Sequence, residues 1–228
     1  MSESTLAMPR HDVSEMPSRV WKVAGALGLT HVVLILAALA LQAHALFEEG
    51  RSGIAAYVAG DLTRTLIGGY VDLLAFLVLI PMLVILSRGI GRRTEVGRVA
   101  AGSALLAGAG YVVLTFSPGL AAGATSMLGA QAGANLDATW LMNNLRVVTF
   151  VLSLVLLGAH AVGLAVAARA DSPEGPGSRL IGIGGFVVGG ALLACPALLS
   201  VGAQDLPVLL WMGWWVAVSV HLLRRAER

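Results

Sequence analysis

Asp72 and Arg146 are ionisable residues set inside long apolar stretches. A charge at the centre of a bilayer costs ~2.5–3.5 kcal/mol even on the lenient scale, so such residues are candidate functional sites. If the second apolar run is a span, Asp72 lies about six residues inside its outer end, roughly 9 Å at 1.5 Å per residue. Arg146 lies about eight residues inside the outer end of the fourth, roughly 12 Å. Opposite charges at similar depth relieve one another's desolvation. Asn143 and Asn144 lie close to Arg146, and Tyr70 stands two residues before Asp72. These five residues define a candidate polar site opening outward, able to hold a ligand, an ion or a proton. The plainer alternative is a structural ion pair that fixes helix register.

His31 and His160 form a second candidate pair, at similar depths in the first and fourth runs. Facing imidazoles could hold a haem, or with a carboxylate a metal. No carboxylate shares their depth, and His44 and His221 lie nearer the ends. Polar packing between helices is therefore the competing reading, and no cofactor is expected. No catalytic residue is assigned. The chain carries no G-x-S-x-G, H-E-x-x-H or Walker A sequence, and Gly182, Gly184 and Gly185 follow no strand. There is no lysine in any span core, which excludes a retinal Schiff base.

The elements that must position these residues follow from composition. Of 228 residues, 57% are hydrophobic and 12% charged. A soluble domain is nearer 45–50% and about 25%. The apolar residues fall into runs long enough to cross ~30 Å of hydrocarbon, and such a segment satisfies its backbone in lipid only as a helix. The expectation is an all-α, polytopic six-helix bundle. Its spans run at about 20–46, 66–87, 99–116, 138–168, 180–201 and 207–223, behind a disordered cytosolic tail at 1–19. The first run is too long for a cleaved signal, so it reads as an uncut anchor in spite of Ala43-His44-Ala45.

Lysine and arginine set the orientation. With the N-terminus inside, 12 of the 15 basic residues fall on inner segments and only Arg51 and Arg64 on outer ones. Both termini are thus expected in the cytoplasm, with the chain in the plasma membrane. Residues 47–65 carry Ile54, Tyr57, Val58 and Leu62 at helical spacing, as an interfacial helix would. The 117–137 segment reads as a flexible loop or a partial re-entrant stretch. The single cysteine, Cys195, excludes an intrachain disulfide, and the absence of a basic stripe with aromatics argues against nucleic acid.

Helices in lipid associate through close packing of small residues. Gly185 and Gly189 in the fifth run are the clearest pair, with Ala100, Ala104 and Gly108 in the third and Ala24 and Gly28 in the first. Trp140, Trp211, Trp214 and Trp215 read as interface anchors, the last two deeper. Pro81 and Pro196 would be equivalent breaks if the chain were two inverted halves, but no repeat supports that.

Asn144-Leu145-Arg146 with Phe150, Leu156-Leu157-Gly158 ending at His160, Arg179-Leu180-Ile181-Gly182 and the Trp-rich last span ending Leu222-Leu223-Arg224 resemble a known pattern. It is that of the bacterial membrane proteins of domain-of-unknown-function family 4386. The resemblance covers the second half of the chain and implies a six-span fold with no assigned activity. The loop Ser172–Gly177 departs from it.

Three functions follow as expectations. The first is a small-molecule or ion carrier or permeation module using the Asp72/Arg146 region. The second is an accessory subunit that binds a membrane partner or another copy through its Gly and Ala faces. The third is a haem- or metal-dependent enzyme using His31 and His160.

Overall fold

In the computed structural model, residues 16–41, 60–116, 127–133, 135–171, 178–199, 203 and 205–225 are described. Helices α1 (Ser18–Leu41), α2 (Leu62–Gly89), α3 (Glu95–Leu114) and α4 (Leu136–Asp171) come first. A π-helical turn, Arg179–Ile183, then leads into α5 (Gly184–Leu193), followed by α6 (Cys195–Leu199) and α7 (Asp205–Arg225). The described residues contain no strand. Among the described residues five helices, α1 to α4 and α7, are long and apolar enough to cross a membrane. The fold is helical and the chain is an integral membrane protein.

Local chemistry sets the ends. Asp61 caps α2 by accepting the Arg64 N–H at 3.1 Å, and Thr94 caps α3 by accepting the Gly97 N–H at 2.9 Å. Both helices therefore start about four residues earlier than their apolar runs imply. Leu62–Thr65 belong to α2 and not to an outer segment. Residues 47–59 of the expected interfacial helix, the loop at 172–177, the Ala45 cleavage site and much of 1–19 and 117–137 lie outside the described residues. Residues 127–131 form a short helical turn with Met127 fully buried.

The fifth expected span is broken, and its longest apolar piece is Arg179–Leu193. Helical bonding tightens at Ala194, which caps α5, and resumes with Ala197 and Leu198 donating to the Ala194 carbonyl at 3.0 and 3.1 Å. Pro196 has no N–H to continue the ladder, which accounts for the break. Pro81, in contrast, lies within an unbroken α2. The two prolines are not equivalent breaks.

Each helix packs on two others, closing a ring in the order α1, α2, α3, α4, α5, α7. Small residues set these contacts. A Cβ at Gly185 would lie 2.8 Å from the Ala161 carbonyl, and one at Gly189 2.8 Å from that of Gly158, so α5 lies directly on α4. Ala24, Ala104, Gly28 and Gly108 are likewise buried inside the ring. Large apolar side chains such as Val33, Leu36, Val99, Leu106 and Leu209 cover the outside, a pattern suited to lipid and not to water.

One end of the ring gathers the arginines. The Asp171 carboxylate accepts the backbone N–H groups of Arg92 at 2.7 Å and Arg93 at 2.9 Å, tying the α2–α3 turn to the end of α4. Gly91 makes that turn with a φ of 79°. Trp21 closes the same end, against Gly89 and beneath the Arg225 guanidinium, 5.1 Å from its ring.

Candidate functional site

The centre of the ring is a column of rings contributed by five helices. Trp211 and Trp215 stand four residues apart on α7 and so share a face, where they stack at 5.5 Å with an interplanar angle of 26°. His31 of α1 meets Trp211 edge-on at 5.7 Å and Phe76 of α2 at 6.2 Å. His160 of α4 packs on Trp215 at 6.0 Å. Phe76 in turn meets Tyr111 of α3 at 5.6 Å. His31, His160, Trp211 and Trp215 are all at most 2% exposed.

Both histidines are held by the same device. His31 Nδ1–H donates to the Ala75 carbonyl at 2.8 Å, joining α1 to α2. His160 Nδ1–H donates to the Ala104 carbonyl at 2.8 Å, joining α4 to α3. A carbonyl oxygen can only accept, so Nδ1 carries the hydrogen and the neutral ring presents a lone pair at Nε2. The alanines keep the accepting helices open to an approaching ring. Gly108 does the same for His160, since a Cβ there would lie 2.9 Å from Nδ1.

The other nitrogens have no partner. His31 Nε2, His160 Nε2, Trp211 Nε1 and Trp215 Nε1 are buried and make no hydrogen bond. An unsatisfied buried donor or acceptor costs ~1–3 kcal/mol. Trp214 contrasts with them, because its Nε1–H donates to the Leu180 carbonyl at 3.0 Å. Counted from the arginine-rich ends of their helices, the four unpartnered residues sit roughly 15–21 Å deep, mid-way through a bilayer of ~30 Å.

A second group of polar residues lies farther from the arginine-rich end. Arg146 donates from Nε at 3.2 Å and Nη2 at 3.1 Å to Asn143 Oδ1. Asn143 is buried, and its Nδ2 and the Asn144 Oδ1 have no partner. Thr115 Oγ1–H donates to Ser153 Oγ at 2.9 Å, and Ser153 to the Phe150 carbonyl at 2.7 Å, fastening α3 to α4. The Asp72 carboxylate lies within electrostatic reach of the buried Tyr111 hydroxyl.

Asp72 of α2 and Arg146 of α4 both lie in the part of their helices away from the arginine-rich end. Tyr70 points away from the interior and is 61% exposed. Two residues on a helix are about 200° apart, so Tyr70 and Asp72 cannot share a face.

His31 and His160 do share a depth, but each packs on a different indole, so the centre is an aromatic column and not a gap between facing imidazoles. No group of three His, Cys, Asp or Glu side chains among the described residues is placed to hold a metal ion. The sequence reading missed Trp211 and Trp215 as interior residues, although their spacing of four was a usable signal. It also missed Phe76, Tyr111 and Asp171.

Comparison with protein-family models, with curated proteins and with solved structures gives no match.

Proposed function

We propose that this chain is a carrier or permeation module that admits a small polar species into the middle of its helical ring. The observation that carries this reading is the set of four unpartnered ring nitrogens at mid-depth. A bundle needed only for support gains nothing from them, since apolar residues of similar size would avoid ~1–3 kcal/mol for each. Intramembrane polar residues facing a bundle interior commonly mark a pathway. Asp72 and Arg146, with Asn143 and Asn144, would form the outer part of the path, and the histidine–tryptophan column the centre.

In this reading the chain crosses the plasma membrane six times, with the broken α5–α6 segment as the fifth crossing and both termini in the cytoplasm. The distribution of lysine and arginine supports that orientation, and the resemblance to domain-of-unknown-function family 4386 supports the span number. An accessory role through the Gly and Ala faces has less support. Gly185, Gly189, Gly28 and Gly108 are already used inside the chain.

The test is solute entry into proteoliposomes followed by light scattering, with glycerol, acetamide and methylammonium chloride as probes. At least one is expected to equilibrate faster than in protein-free vesicles. If all three enter at the protein-free rate, the reading fails.

A further inference from the structure

The column at the centre of the ring has a definite hydrogen-bonding character. His31 Nε2 and His160 Nε2 are acceptors, and the Nε1–H groups of Trp211 and Trp215 are donors. The imidazoles are fixed from behind by the Ala75 and Ala104 carbonyls, so their open nitrogens are held in place before anything binds. Around them lie the faces and edges of Phe76, Tyr111 and the two indoles.

We propose that this column binds a small uncharged solute that both donates and accepts hydrogen bonds, of the primary-amide class. This rests on the permeation reading for the passage of the solute, though not for its binding. A primary amide offers N–H groups to the two imidazole nitrogens, and a carbonyl oxygen whose two lone pairs can accept from the two indoles. An ion fits less well. The four groups supply no formal counter-charge, and Asp72 lies farther from the arginine-rich end of its helix. An ion stripped of water here would carry its desolvation cost without a counter-charge in contact. An apolar solute would leave all four nitrogens unpaired.

The test uses the full chain in lipid nanodiscs with 15N-labelled tryptophan, assigned by Trp211→Phe and Trp215→Phe, and acetamide as the probe. Acetamide is expected to shift the indole N–H resonances of Trp211 and Trp215 saturably and to leave that of Trp214, already bonded to Leu180, in place. Sodium acetate and methylammonium chloride at the same concentrations should shift neither. Replacing both histidines, His31→Leu with His160→Leu, should weaken acetamide binding by about tenfold or more, the worth of ~1.4 kcal/mol. The inference is overturned if acetamide gives no saturable shift in the wild-type chain, or if acetate or methylammonium shifts these resonances instead. Saturable binding without faster acetamide entry into vesicles would uphold the site and end the permeation reading. Faster entry of glycerol or methylammonium, with indoles silent to acetamide, would uphold permeation and remove the column as an amide site.

Discussion

His31 Nδ1 lies 2.8 Å from the carbonyl oxygen of Ala75, while its Nε2 is buried without a partner. One side of the ring is thus bonded to a neighbouring helix and the other is unpartnered. The carbonyl loses little if the histidine goes, because it remains in the helical ladder of α2. An interhelical hydrogen bond in a membrane averages about 0.6 kcal/mol, whereas an orphaned nitrogen costs ~1–3 kcal/mol. His31→Leu should therefore leave the melting temperature in detergent unchanged or raise it, while solute entry is lost. A clear drop in stability would show that the histidine serves mainly to hold α1 to α2.

Gly28 marks the tightest crossing of α1 with α7, where a Cβ would run into Ser219 Oγ and the Met82 side chain. Gly28→Ala should cost ~1–3 kcal/mol through overpacking. Gly102 on α3 has open space around its Cβ position, and Gly102→Ala should be neutral or gain up to about 1 kcal/mol of helix propensity. Thermal unfolding of the two variants side by side checks the assignment of inner and outer faces.

Asp72→Asn and Arg146→Gln each remove a charge from the proposed path, and each single change should slow solute entry in the vesicle assay. Entry at the wild-type rate in both variants would take these residues off the path.

Asp171 organises the arginine-rich end by accepting two backbone N–H groups from the α2–α3 turn. Asp171→Ala should cost about 1.5–3 kcal/mol, in the range of hydrogen bonds to a charged group. It should also speed trypsin cleavage at Arg92 and Arg93. Unchanged cleavage would mean the turn is held by other contacts.

Much of this arrangement is legible in the residues themselves. The apolar runs locate the helices, and the depths of His31 and His160 follow from counting along them, because both are counted from helix ends that the ring brings together. Tryptophan was misjudged. Trp211 lies six residues into α7, a position suited to an interface anchor, and only the packing of α1 and α4 shows that it faces inward. Which side of a membrane helix faces lipid is weakly encoded, because both sides are apolar and the hydrophobic effect does not separate them.

The most direct measurement is hydrogen exchange at the three indoles of α7 in nanodiscs. Trp214 serves as the internal standard, since its N–H is hydrogen-bonded to Leu180. If the middle of the ring receives polar solutes, the N–H groups of Trp211 and Trp215 should exchange with bulk water faster than that of Trp214. Equal and strong protection of all three would contradict it, and would mean a sealed aromatic core with no path from either side.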